Sequence, residues 1–166
     1  MIHMYGGILF TLILGVLLHY TYNWSGRNYL VAFVAPTNES SFEHLKLLAT
    51  PFLLWALLEY FCYGQNMHGF VPSKVIGLYV AMILMVVLGK LSHFLFGHDH
   101  SLKVHIAVFI LSVITAFVLS EFLMTLTFMD QLGLEVLFDG ILMVTIMLFA
   151  VFTVYAPKCW LFQAPK

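Results

Sequence analysis

The chain of 166 residues is short of charge above all. Its seven lysines and arginines and eight aspartates and glutamates amount to 9% of the sequence, whereas 62% of the residues are hydrophobic. A soluble domain has about 25% charged residues. So few polar side chains cannot cover a water-exposed surface. The composition therefore predicts an integral membrane protein in a lipid bilayer, with residues 1–166 forming a single transmembrane domain.

Other scarcities exclude further classes of protein. The net charge is −1 and the few basic residues form no run, so we expect no nucleic-acid partner. The two cysteines, Cys62 and Cys159, are too few for a disulfide framework. The N-terminus has no basic segment and no small-residue cleavage site follows the first apolar run. We therefore expect the first apolar segment to remain as a membrane anchor.

Five apolar runs are long enough to cross a bilayer as helices. Their predicted bounds are 5–22, 45–63, 74–96, 103–128 and 136–155. Lipid offers no partner for a free backbone N–H or C=O group, and no run alternates like the strand of a membrane barrel. The predicted fold is an all-α bundle of five transmembrane helices.

The basic residues predict the orientation of this bundle. Five spans place the loop after span one, the loop after span three and the C-terminus on one side of the membrane. That side or the adjoining helix ends would hold all but one of the basic residues, namely Arg27, Lys46, Lys90, Lys103, Lys158 and Lys166. Only Lys74 falls on the other side. Positive residues favour the cytoplasmic side, so we predict a multi-pass protein of the cell membrane with its N-terminus outside and its C-terminus inside.

Residues 35–46 form a polar segment between the first two spans. Ser40 followed by Glu43 is the pattern of a capping box, in which the serine caps a backbone N–H group and the glutamate reaches back. In this structural interpretation the segment begins span two, and Lys46 extends to the lipid headgroups. Capping leaves Asn38, Glu39, His44 and Lys46 unexplained.

A functional interpretation assigns chemistry to the same segment. A carboxylate beside an imidazole suits acid–base catalysis, a proton relay or a metal site. The residues predicted to be catalytic are Glu39, Glu43, His44 and Lys46, with Lys46 holding an anionic group. The residues predicted to bind substrate are Asn38, Ser40, Glu59 and Glu121.

Histidines gather on the predicted inner side. His19, His44, His93 and His105 each fall at a helix end, where a bundle can bring them together. Zinc takes three or four histidine, carboxylate or cysteine ligands, so these four with Glu39 or Glu43 form a candidate zinc site. A b-type haem held by two of them is an alternative. His98 and His100 lie in a loop and are interpreted as solvated turn residues.

Two carboxylates lie within the outer halves of predicted spans. Glu59 is in span two and Glu121 is in span four. A buried, unpaired carboxylate is costly, so each should be paired, protonated or in contact with water. Either they join helices by hydrogen bonds, or they line a path for a cation or proton.

Small residues predict where helices approach closely. Ser112, Ala116 and Ser120 recur every fourth residue in span four, and Gly6, Gly7 and Gly15 lie in span one. Such residues allow the backbones of two membrane helices to come near each other.

The polar segment also carries a family resemblance. The run from Phe33 to Leu47, which reads FVAPTNESSFEHLKL, resembles the signature Phe-x-Pro-Val-Asn-Glu-Ser-x-Trp-Glu-His-x-Lys-Leu of an uncharacterised family of small bacterial multi-spanning membrane proteins. Residues 19–26 and 152–158 agree with it as well. Thr37 and Phe42 replace the valine and tryptophan of the pattern. The resemblance implies a location in a bacterial inner or plasma membrane and no biochemical function.

Three functions remain open. The first is a membrane-embedded enzyme or metal site that acts on a lipid-like or small substrate at the inner interface. The second is a small transporter or channel, in the form of a homo-oligomer, with Glu59 and Glu121 in its path. The third is a scaffold or interaction subunit without chemistry of its own. Because polar residues concentrate at one interface, the first interpretation is favoured.

Overall fold

The computed structural model describes residues 2–67, 69–96, 102–129 and 131–163, which contain helices and no strand. The α-helices are α1 (Ile2–Trp24), α2 (Tyr29–Ala32), α3 (Ser41–Cys62), α4 (Phe70–Phe96), α5 (Leu102–Leu123) and α6 (Leu132–Val154). All of them except the short α2 are long and apolar enough to cross a membrane. The predicted all-α bundle with five membrane-spanning helices is therefore confirmed.

The helix bounds depart from the sequence pattern where polar residues belong to a helix. Helix α3 begins at Ser41 within the polar segment, and α4 begins at Phe70 with Pro72 in its first turn. Proline is tolerated there because a first-turn N–H group has no helical partner. Helix α5 ends at Leu123, and a separate 3₁₀ turn follows at Thr127–Met129.

The core lies between α3, α4 and α5, with α1 packed against α3. Its fully buried side chains include Leu48 and Phe52 from α3, Leu78 from α4, and Val113 and Phe117 from α5. Helix α3 is the most buried of the five long helices and α6 the least. Since α3 passes through the centre of the bundle, polar side chains at both of its ends meet residues from neighbouring helices.

Close helix contacts occur at the small residues. A Cβ atom on Gly77 of α4 would lie only 2.6 Å from the Ala116 carbonyl oxygen of α5. Ser112, Ala116 and Ser120 are fully buried, which confirms the predicted contact face. At the α1–α3 contact, a Cβ on Gly15 would lie 2.8 Å from the Leu47 carbonyl oxygen. Pro51 has no N–H group to bond that carbonyl within α3.

The bundle therefore has two polar ends. The His44 end comprises the end of α1, the loop of residues 25–40 and the start of α3. The Lys74 end comprises the end of α3, the start of α4 and the end of α5. The assignment of the His44 end to the cytoplasm stays a prediction from the basic residues.

Candidate functional site

The polar segment folds into a loop that caps α3. The Ser40 hydroxyl accepts a hydrogen bond from the Glu43 N–H group at 3.3 Å, which confirms the predicted cap. The predicted reciprocal contact, in which the Glu43 carboxylate accepts from the Ser40 N–H group, is wrong. The Ser40 N–H group donates to Asn38 Oδ1 at 2.8 Å, so Asn38 takes the place expected for the glutamate. Asn38 therefore has a structural contact that the sequence interpretation did not assign to it.

The Glu43 side chain turns inward and pairs with Lys46. Lys46 Nζ lies 2.8 Å from each carboxylate oxygen of Glu43 and donates to the Ala32 carbonyl oxygen at 2.9 Å. Glu43 Oε2 also accepts from the Thr37 N–H group at 2.7 Å and from the Thr37 hydroxyl at 3.1 Å. The Lys46 side chain is 1% exposed. Its predicted extension to the headgroups is therefore wrong, because the carboxylate and the carbonyl hold it inside.

This buried pair fastens the loop to α3. Ala32 and Thr37 bracket the stretch that leads from α2 into the cap, and both bond to the pair. The loop therefore has a defined position just before Glu39. Among the residues predicted to be catalytic, Glu43 and Lys46 are buried, whereas His44 is half-buried and Glu39 is exposed.

Glu39 brings two histidines together at the His44 end. His44 Nε2 lies 3.3 Å from Glu39 Oε2, and His19 Nε2 at the end of α1 lies 3.9 Å from Glu39 Oε1. One possible ligand atom from each of the three residues lies within 4.8 Å of the other two. The His19 and His44 side chains are half-buried and Glu39 is exposed. The three residues form a compact group at the surface of the bundle.

The backbone fixes the proton on the His44 ring. His44 Nδ1 lies 3.0 Å from the Ser40 carbonyl oxygen, which can only accept a hydrogen bond, so Nδ1 is the donor. In the neutral ring, Nε2 then presents its lone pair to the Glu39 carboxylate. Two acceptors at 3.3 Å require a positive group between them or a second proton on the ring. A metal ion bound between the two atoms would be such a positive group.

Only two of the four histidines predicted to bind zinc lie in the three-residue group. His19 and His44 belong to the three-residue group, and His93 and His105 do not. His93 lies near the end of α4 and His105 near the start of α5, and both are exposed. His98 and His100 lie outside the described residues.

A second charged group occupies the Lys74 end. Lys74 Nζ lies 2.6 Å from Glu59 Oε2 and 3.9 Å from Glu121 Oε1, so α3, α4 and α5 meet through one lysine. The Tyr63 hydroxyl donates to Glu59 Oε1 at 2.6 Å. Burial and the neighbouring Glu59 raise the pKa of Tyr63, which therefore stays protonated. The predicted pairing of Glu59 is present, but sequence reasoning missed its partner. The sequence did offer a signal for this partner, because Lys74 is the sole basic residue on the side of the membrane where Glu59 is predicted to lie.

Hollows on the surface lie elsewhere. One is lined by Ile114, Val118 and Phe122 of α5, and another by Tyr79 of α4 with Val136 and Gly140 of α6. Both are shallow and apolar, as expected of surfaces that face lipid. No candidate site residue lines either of them.

Comparison with known proteins agrees with the sequence resemblance. No curated protein and no solved structure matches the chain. One family model matches residues 2–165, almost the whole chain. The protein therefore belongs to DUF6512, a family of unknown function.

Proposed function

We propose that this protein binds a divalent transition-metal ion, with zinc as the best candidate, between His19, Glu39 and His44. One observation supports the proposal most strongly: three ligand atoms from two helix ends and a loop lie within 4.8 Å of one another. Glu39 and His44 are close in sequence, but His19 lies 20 residues before Glu39, so the packing of α1 against α3 brings it to them.

The ligand chemistry suits zinc. Two imidazole nitrogens and one carboxylate oxygen are a ligand set that zinc sites use. Tetrahedral zinc with bonds of about 2.0–2.1 Å places two of its ligand atoms about 3.3 Å apart. His44 Nε2 and Glu39 Oε2 already have that separation. His19 Nε2 lies 3.9 Å from the other carboxylate oxygen, Oε1, so binding an ion through a single oxygen requires the His19 ring and the Glu39 carboxylate to move closer together.

The surrounding contacts position the ligands. The Ser40 carbonyl oxygen accepts from His44 Nδ1, which leaves Nε2 free to bind the ion. The contacts of Asn38 with Ser40, and of Thr37 with Glu43, hold the loop on either side of Glu39. Asn38, Ser40, Glu43 and Lys46 are thus positioning residues in this proposal, and Glu39 is the ligand that the loop presents.

Three protein ligands leave one position of a tetrahedral ion open. Zinc sites with an open position take water or a substrate oxygen, as in hydrolytic enzymes. Because the Glu39 side chain is exposed, an ion bound there would have its open position at the surface of the bundle, within reach of small polar molecules and lipid headgroups. The activity that this geometry supports best is hydrolysis of a lipid-like or small substrate at this site.

The proposal is tested by titrating metal-free protein in detergent micelles with zinc, against a competing chelator. We expect one zinc ion per chain, and an affinity lowered about 100-fold or more in His44→Ala, since loss of a ligand exceeds the 10–100-fold cost of losing an outer contact. Affinity should also fall as the pH is lowered, because protons compete for the imidazole nitrogens.

His105→Ala is the matched control, because His105 is an exposed histidine at the start of α5 and is not one of the three ligands. It should leave zinc affinity unchanged. If the wild-type protein takes up no zinc, or if His44→Ala and His105→Ala weaken binding equally, the proposal fails.

A further inference from the structure

We propose that the Lys74 end is a proton-binding site, in which Glu59 and Glu121 share one proton beside the Lys74 ammonium group. The proposal is independent of the metal site at the other end of α3. The two ends are separated by the length of the helix, about 22 Å between His44 and Glu59 at about 1.5 Å per residue.

The site is buried and its polar atoms are incompletely paired. The side chains of Glu59 and Lys74 are 2% and 4% exposed. Lys74 Nζ and Glu59 Oε2 lie 2.6 Å apart as an ion pair, and neither atom has a further hydrogen-bond partner among the residues that the structure describes. The adjacent Ser73 hydroxyl is also buried without a partner within the described ranges. Buried polar groups are normally fully hydrogen-bonded, whereas here the Ser73 hydroxyl and the remaining ammonium protons of Lys74 are not.

The charges of the cluster do not balance when all its acids are ionised. Two carboxylates face one ammonium group, and Tyr63 stays protonated as the donor to Glu59. Two further titratable groups lie next to Tyr63: His3 of α1, whose ring packs on Tyr63 at 4.9 Å, and the thiol of Cys62 at the end of α3. The rings of Phe70 and Phe117 lie 5.4 Å from Lys74 Nζ, so the surroundings are apolar. One added proton makes the group neutral, and an apolar environment favours that state.

A proton is the ligand that fits this place. The Lys74 ammonium lies between the two carboxylates, where it would repel a metal cation, and the carboxylates would repel an anion. A proton needs no cavity and bonds directly to a carboxylate oxygen. Glu121 is 35% exposed and Glu59 is 2% exposed. Glu121 is thus the more accessible carboxylate and the point of entry for the proton, and a small shift of Lys74 between its two partners allows Glu59 to carry it instead.

The chain suits a direct test because it has only five glutamates, at positions 39, 43, 59, 121 and 135. The whole protein is labelled with ¹³C at the glutamate carboxyl carbon, and its carbon signals are followed by NMR as the pH is varied. Each signal is assigned with a glutamate-to-glutamine variant. We expect the Glu59 and Glu121 signals to move over the same pH interval, with one proton taken up by the pair, because interacting sites titrate together.

Coupling is then tested with Glu121→Gln. Removing the partner carboxylate should displace the pH interval over which the Glu59 signal moves. Glu135→Gln changes an acid in the first turn of α6 and should leave the Glu59 signal as it is in the wild type. If the wild-type Glu121 signal titrates alone while the Glu59 signal stays that of a carboxylate throughout, the cluster is a fixed ion pair and the inference is wrong. The wild-type titration decides this even if the variant folds poorly.

Discussion

Replacing Lys46 by methionine is expected to lower the free energy of unfolding by about 3–5 kcal/mol, the usual cost of removing one partner from a buried ion pair. Methionine has a similar length, so little packing is lost. The Glu43 carboxylate, however, would stay buried without its ammonium partner, and the Ala32 carbonyl oxygen would lose its donor. Unfolding of the purified protein in mixed micelles, followed by circular dichroism, measures the change.

A matched control and a double variant isolate the ion pair. Lys103→Met removes an exposed lysine and should change stability by no more than about 0.5 kcal/mol. Adding Glu43→Gln to Lys46→Met removes the unpaired charge and should restore part of the loss. The single variant should also bind zinc about 10–100-fold more weakly, because the loop that presents Glu39 is no longer fastened to α3. A Lys46→Met protein as stable as the Lys103→Met protein would show that the buried ion pair does not contribute to the free energy of unfolding.

Replacing Lys74 by methionine should have a stability effect of similar size at the other end, again about 3–5 kcal/mol at neutral pH. Glu59 is 2% exposed and would lose its cationic partner, while α4 and α5 would lose their charged link through Glu121. The loss should shrink as the pH is lowered, because protonation of the abandoned carboxylate removes its unpaired charge. Unfolding measured across a pH series tests both the size and the sign of this dependence.

Two comparisons identify the source of that loss. Lys158→Met, at an exposed lysine beyond α6, should behave like the wild type at every pH. Lys74→Met combined with Glu59→Gln should be more stable at neutral pH than Lys74→Met alone. A loss for Lys74→Met that does not vary with pH would point to packing against Phe70 and Phe117 as its cause.

The apolar runs were sufficient to predict the five membrane-spanning helices, because each depends on local composition and length. The Ser40 cap was predictable for the same reason, since it joins residues three apart. The role of Glu43 was not. The Ser40 N–H group, which a capping glutamate would accept from, donates instead to Asn38 Oδ1. The Glu43 carboxylate accepts from Lys46 Nζ, and this choice between partners depends on the folded loop.

The sequence did not predict which side chains on different helices pair with each other. The requirement that Glu59 have a partner followed from its position in an apolar span, but the choice of Lys74 depends on the relative rotation of α3 and α4. The same holds for the histidines. All four lie at helix ends, yet only His19 and His44 approach the exposed Glu39, because α1 packs directly against α3 near that loop. Periodicity gives the face of one helix and not its register against another.

The most direct test of the central claim is X-ray absorption at the zinc edge of the zinc-loaded protein in lipid vesicles. The three-residue site predicts two imidazole nitrogens and one carboxylate oxygen at about 2.0–2.2 Å, with a further light atom at the open position. In His44→Ala the imidazole contribution should fall by half. A shell of oxygens alone, or sulfur at about 2.3 Å from Cys62 or Cys159, would contradict the site.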